Sequence, residues 1–254
     1  MEKKIMAYYL VDYENVKADG MYGVDQLGKK DCVCIFYSEN ASTLTFGLHE
    51  KLNQTKGKIV LQKVEVGVKN ALDFLNLPSK LTADPEEICN ADAIILPGVG
   101  AFPNAMHMLE ERNLKALLQK EAKKKPFLGI CLGMQLLFET GYEFEPCKGL
   151  GLIPGTVEKI NAPGYIIPHM GWNKLEYGID CPILRGIGED AYVYFVHSYQ
   201  AVTPSNYLAA SVTYGCQIPA MVYDGNTVYG AQFHPEKSGK TGLQILKNFG
   251  GLVK

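Results

Sequence analysis

The sequence predicts an α/β protein, and three features carry that prediction. Apolar runs of strand length alternate with stretches of helical period along most of the chain. Residues Phe127 to Phe138, FLGICLGMQLLF, join an apolar strand to a helix through a tight G-x-C-x-G turn. Further on, TVYGAQFHPEKSG alternates as a strand and stops at His234-Pro235-Glu236.

The elements follow in order. Tyr8 to Val11, Cys32 to Tyr37 and Ile59 to Val66 read as strands, with a short helix over Ser42 to Leu52. Val68 to Leu75 reads as a helix, Ser79 to Thr82 as a strand, and Asp84-Pro85-Glu86-Glu87-Ile88 as a turn. Ala93 to Leu96 is a buried strand, and Pro103 to Lys123 a helix. Met106, Leu109, Leu114, Leu117 and Leu118 line one face of that helix, a stripe expected in the core. Lys123 to Lys125 suit the negative end of its dipole. Gly149 to Val222 is rich in Gly, Pro and Tyr and reads as short strands and turns, and Lys240 to Leu252 closes the chain as a helix.

Composition narrows the function classes. The chain has 254 residues, 47% hydrophobic and 20% charged, ordinary for a globular protein. A formal net charge of −2 predicts no general attraction to nucleic acid or an anionic membrane. No apolar run approaches the roughly 18 residues of a membrane span. The N-terminal run meets Asp12 early and lacks a small-residue cleavage site, which argues against a signal peptide. The seven cysteines are odd in number and form no C-x-x-C pair, as in a reduced, cytoplasmic protein. Cys32 and Cys34 share a strand face but lack the further ligands a metal would need.

Chemistry concentrates at two places. Strand, glycine turn, cysteine and helix make up a nucleophile elbow centred on Cys131. Gly129 and Gly133 permit the bend, and the helix N-terminus turns its N–H groups and positive dipole end toward a sulfur that reacts as an anion. A lone G-x-C-x-G would equally suit a buried structural cysteine. The strand end downstream changes the balance. Pro235 biases His234 toward extended backbone, where Glu236, two residues on, points the same way and can orient the imidazole. Cys131, His234 and Glu236 then follow the nucleophile, base and orienter pattern of a triad.

These motifs resemble the class I (triad) glutamine amidotransferases, whose fold is Rossmann-like with a mixed, mostly parallel central sheet. LPGVGAF (Leu96 to Phe102), PHMGWN (Pro168 to Asn173), YFVHSY (Tyr194 to Tyr199) and QFHPEKS (Gln232 to Ser238) resemble, more narrowly, the glutaminase subunits of imidazole glycerol phosphate synthase. The resemblance runs from about Val68 to the C-terminus. It implies hydrolysis of glutamine, with ammonia passed to a TIM-barrel cyclase subunit in a heterodimer that serves histidine biosynthesis. It also implies oxyanion donors from Leu132 and from Gly98, Val99 and Gly100, and glutamine binding by Gln135, Ser198 and Tyr199, with His197 a weaker candidate. Trp172, Asn173, Lys237 and Ser238 match the face toward the cyclase. Neither a metal nor an organic cofactor is implied.

Residues 1–67 fall outside this pattern. YLVDYENV, IFYSEN and VGVKNALDF resemble the PIN-like nucleases, with Asp12 and Asp73 at the positions of two metal-binding acids and Glu14 a weaker third. The further acids of that family are missing. The amidotransferase in turn lacks its usual opening strand and D-Y-G-x-G-N turn. The expected organisation is therefore a partial PIN-like α/β segment, 1–67, joined to an amidotransferase domain, 68–254. Ile59 to Val66, or else Tyr8 to Val11, is expected to fill the empty place in the main sheet. Two other readings stay open: a chimera without competent chemistry, and a metal-dependent nuclease.

Overall fold

The computed structural model describes residues 8–12, 32–37 and 58–253. The chain divides into two compact units, Met1–Gly67 and Val68–Lys254.

In the first unit, β1 (Tyr8–Asp12), β2 (Cys32–Tyr37) and β3 (Lys58–Lys63) form a parallel sheet in that order. Asp12 is the last residue of β1, opposite Phe36. The helix expected over Ser42 to Leu52 lies outside the described residues. The strand predicted for Ile59 to Val66 ends early. Helix α1 (Val64–Phe74) begins two residues before that strand was expected to stop. Its apolar positions, Val64, Val68, Ala71 and Leu72, recur with helical spacing.

The second unit continues with α2 (Pro85–Asn90), capped by Asp84, whose carboxylate accepts from the N–H groups of Glu86 and Glu87. No strand forms over Ser79 to Thr82, contrary to expectation. This short segment is mostly exposed and has no apolar face to bury. β4 (Ile94–Gly98) leads to α3 (Phe102–Glu111) and α4 (Lys115–Glu121). The single helix predicted from Pro103 to Lys123 is thus two. Asn113, at φ 56°, takes the left-handed conformation that ends a helix, and asparagine tolerates it.

β5 (Phe127–Cys131) and the one-turn helix α5 (Leu132–Gln135) follow. Next come β6 (Thr140–Gly141), β7 (Cys147–Lys148), β8 (Thr156–Lys159), β9 (His169–Lys174) and β10 (Glu176–Tyr177). The chain ends with β11 (Tyr192–His197), β12 (Tyr199–Val202), β13 (Leu208–Thr213), β14 (Gln217–Tyr223), β15 (Val228–Ala231) and α6 (Gly239–Gly250).

The main sheet has the order β10-β13-β14-β15-β5-β4. It is mixed. β4, β5 and β15 run parallel, and β10, β13 and β14 extend it antiparallel. Among the described residues β4 is its edge, so neither substitute strand enters it. β3, which takes in the first five residues of the stretch predicted for that role, pairs with β2 over six consecutive positions, and β1 pairs with the other side of β2. Both runs thereby find their ladder partner, β2, in the first sheet.

Both faces of the main sheet are covered, as expected for buried parallel strands. Phe127 and Val228 point into a cluster with Phe102, Met106 and Leu118 of α3 and α4. Leu128, Ile130, Tyr229 and Ala231 point into another with Val68, Leu72, Ile245 and Phe249 of α1 and α6. Two smaller sheets, β11-β9 and β12-β8-β6-β7, complete the unit.

Candidate active site

The site lies at the carboxyl ends of the three parallel strands, where open α/β sheets gather their functional groups. In register, Gly98 of β4 stands opposite Cys131 of β5, and Ala231 of β15 opposite Ile130. The Pro97–Gly100 loop, the cysteine and the Gln232–Glu236 segment therefore leave neighbouring strands at one level.

Cys131 sits at φ 55°, ψ −111°, outside the regions an L-residue prefers. Such strain persists only where packing holds it, and two glycines make room for that packing. A Cβ on Gly133 would lie 1.8 Å from the Leu96 carbonyl oxygen, and one on Gly129 would lie 2.5 Å from that of Gly133. The predicted elbow is present, with Leu132 the first residue of α5. The cysteine is 7% exposed. Its sulfur lies 3.9 Å from the Val196 carbonyl oxygen and 3.9 Å from Gln232 Nε2.

His234 Nδ1 hydrogen-bonds Glu236 Oε1 at 2.8 Å, and both side chains are buried. The route to this contact differs from the expected extended one. His234 is extended (φ −98°, ψ 100°), but Pro235–Lys237 forms a 3-10 turn that curls the carboxylate back onto the ring. Proline, with its fixed φ, suits the first position of such a turn. Ser238 secures it, since its hydroxyl donates to the His234 carbonyl at 2.7 Å and accepts from the Tyr194 N–H at 3.0 Å.

Burial and Lys237 work against charge on His234, but Glu236 and Cys131 outweigh them and raise its pKa to about 9. Burial likewise opposes charge on Glu236, and His234 and Lys237 together hold its pKa low. The pair is an ion pair at neutral pH. His234 Nε2 makes no hydrogen bond within normal limits, yet Cys131 is close enough to help charge the ring. An imidazolium beside a sulfur on a strained elbow can hold the proton that the sulfur gives up and return it to a leaving group.

Other predicted residues gather here too. Gly100 has φ 103°, a conformation that favours glycine, and Val99 lies between it and Gly98 in the loop beside the nucleophile. Gln135 Nε2 donates to the Tyr199 carbonyl at 3.0 Å and to Gln232 Oε1 at 3.1 Å. Ser198 and Tyr199, both half-buried, join β11 to β12. His197 Nδ1 also donates to the Tyr199 carbonyl, at 2.8 Å. Burial, then the neighbouring His169, lowers the His197 pKa to about 3, so it is neutral.

The residues matched to the partner face divide. Trp172 is exposed, at 53%. Asn173 is half-buried, with Oδ1 accepting from His169 Nε2 at 2.8 Å and Nδ2 donating to the Thr213 carbonyl at 3.3 Å. Lys237 is half-buried. Ser238 differs from that expectation. It is 2% exposed, and its hydroxyl is engaged internally, so it shapes the histidine turn and presents nothing at the surface.

Asp73 bonds Lys69 one helical turn away at 2.6 Å. Among the described residues no group of three His, Cys, Asp or Glu side chains is placed to hold a metal.

Sequence reasoning missed two buried polar side chains. Gln232 is fully buried against the sulfur. Glu143 accepts from the Phe102 N–H at 2.7 Å and so anchors the end of the Pro97–Gly100 loop; burial raises its pKa. Gln232 was detectable, because a polar residue at the core end of an apolar strand needs a partner. Glu143 carried no local signal.

Residues 51–251 match the family model described as glutamine amidotransferase class-I, and residues 6–77 match that of a PIN domain. The chain is 50% identical over 188 residues to the imidazole glycerol phosphate synthase subunit HisH of Bacillus cereus strain G9842, covering 74% of this chain and 89% of that protein. It is 52% identical over 184 residues to the HisH subunit of Listeria innocua, covering 72% and 88%. A crystal structure titled glutamine amidotransferase superposes with a TM-score of 0.57 at 22% identity, over 73% of this chain and 93% of that one. That likeness is one of fold.

Proposed function

The chain belongs to the class I glutamine amidotransferase family, and from that premise we propose that Cys131, His234 and Glu236 are its catalytic triad. The protein hydrolyses glutamine to glutamate and ammonia as the glutaminase subunit of imidazole glycerol phosphate synthase. It delivers the ammonia to the cyclase subunit, its partner in a heterodimer, for histidine biosynthesis. The observation that carries the triad is the 2.8 Å bond between His234 and Glu236, both buried, with the imidazole facing the elbow cysteine.

The steps follow from the groups present. The Cys131 proton rests on His234 Nε2 in a thiolate–imidazolium pair, the thiolate attacks the side-chain amide carbon of glutamine, and the carbonyl oxygen becomes an oxyanion. Donors in the Gly98–Val99–Gly100 loop and the N–H of Leu132 receive it, each worth about 3 kcal/mol. His234, already protonated, gives its Nε2 proton to the departing amine, and ammonia leaves a γ-glutamyl thioester. The neutral imidazole then takes a proton from water, the resulting hydroxide attacks the thioester carbon, the thiolate leaves and restores the pair with the imidazolium, and glutamate departs with its new carboxyl giving its proton to solvent. Glu236 keeps the ring in the tautomer and orientation both halves need. Gln135, Ser198 and Tyr199 bind the substrate.

Trp172, Asn173 and Lys237 contribute to the cyclase-facing surface. The organisation we assign is a partial PIN-like α/β segment at 1–67 and the amidotransferase domain at 68–254, without its usual first strand. No described helix is long and apolar enough to cross a membrane, and we place the protein in the cytoplasm, where histidine is made. A chloroketone analogue of glutamine tests the site. It should alkylate Cys131 alone, located by peptide mass, with glutamine protecting. Labelling spread over the other cysteines would overturn the assignment.

A further inference from the structure

We propose that Gln232 is a further catalytic residue, whose side-chain N–H stabilises the Cys131 sulfur as an anion. The inference rests on the triad reading above.

Gln232 directly follows β15, and the β15–β5 register puts it across from Cys131. Its main-chain N–H donates to the Ala220 carbonyl at 2.9 Å, and its side chain is wholly buried. Burying a primary amide is costly unless its groups are bonded. Both ends are. Oε1 accepts from Gln135 at 3.1 Å, and Nε2 lies 3.9 Å from the sulfur, within reach of an N–H···S contact.

The direction of the amide is determined by its neighbours. The Tyr199 carbonyl can only accept, so it claims the nitrogen end of Gln135. The second proton of that nitrogen then points to Gln232, which must present its oxygen. The nitrogen of Gln232 is left facing Cys131.

The sulfur therefore has two polar neighbours of opposite preference. The Val196 carbonyl oxygen, 3.9 Å away, can only accept, and so favours the protonated thiol. The Gln232 N–H can only donate to sulfur, and a hydrogen bond to an ion is roughly twice as strong as one to a neutral atom. Gln232 favours the anion that attacks glutamine and the same anion when it leaves the thioester. It stabilises the neutral thioester less, so it raises the fraction of anion available for attack and eases the anion's departure when the thioester breaks.

The test uses the full chain with its cyclase partner. Gln232→Met keeps length and bulk but has no N–H. The expected outcome is alkylation of Cys131 by iodoacetamide about tenfold slower at neutral pH, the size of one hydrogen bond to a charged group. Turnover should fall by a similar factor, KM should stay within about twofold, and the rise of kcat/KM should move to higher pH. Gln232→Glu keeps the shape and the bond from Gln135 but turns a carboxylate toward the sulfur, and should slow alkylation further. Folded Gln232→Met with wild-type alkylation, turnover and pH profile would overturn the proposal. If that variant does not fold, wild-type alkylation in Gln232→Glu would overturn it. Cys131→Ala run alongside separates the two readings, since activity surviving there would sink the triad itself.

Discussion

Replacing Glu236 with glutamine removes one charge from the buried pair while leaving an oxygen that can still accept from His234 Nδ1. In the native protein the imidazole is raised from 6.5 to about 9 against the opposing effects of burial and Lys237. At 1.36 kcal/mol per pH unit that difference is about 3 kcal/mol favouring the charged ring. Without the carboxylate, burial and Lys237 act against Cys131 alone, and the pKa falls toward its ordinary value or below. If the whole difference is expressed in the transition state, kcat/KM for glutamine falls about 10²-fold, with little change in KM. The same coupling has a signature in stability. A histidine raised on folding contributes fully below its unfolded pKa and loses that contribution as pH rises through the folded value. Wild-type stability should therefore decline between pH 6.5 and about 9. The Glu236→Gln curve should be flat across that window. Urea unfolding at several pH values, with glutaminase assays on the same samples, measures both. Wild-type turnover together with a wild-type pH slope would refute the ion pair.

Further outcomes follow from packing and exposure. Gly133→Ala forces a Cβ to within 1.8 Å of the Leu96 oxygen, with backbone on both sides unable to yield. It should cost about 3 kcal/mol in chemical denaturation and disable turnover, whereas a loss below about 0.5 kcal/mol would contradict the tight elbow. Trp172→Ala removes a large ring that is 53% exposed on β9. Calorimetric titration with the cyclase should show about 30-fold weaker binding, with partner-free turnover unchanged; unaltered affinity would remove Trp172 from the interface.

The elbow was legible in the sequence because its chemistry is local. Gly129, Cys131 and Gly133 lie within one turn, and each glycine is required by a backbone approach that a side chain would block. His234 and Glu236 were legible for the same reason, although proline led to the right contact through a turn rather than an extended segment. Longer-range features were hidden. Nothing in the spacing of Gln135 and Gln232 says that they bond, because strand register alone brings them together. The break at Asn113 was missed because the apolar stripe runs across it, and a single left-handed residue leaves little trace in a periodicity. The strand expected from Ile59 to Val66 failed where β-branched valines also fit the helical spacing of α1. Local propensity does not choose between sheets, and pairing with β2 did.

We assign Cys131 as the nucleophile of a glutaminase that works with a cyclase partner. The most direct measurement is glutamate release from glutamine by wild type and by Cys131→Ala, each purified and mixed with the cyclase subunit and its ribulosyl-phosphate substrate. Wild type should turn over glutamine and the variant should show nothing above background, with both proteins giving the same unfolding midpoint. Substantial turnover by a folded Cys131→Ala would contradict the assignment.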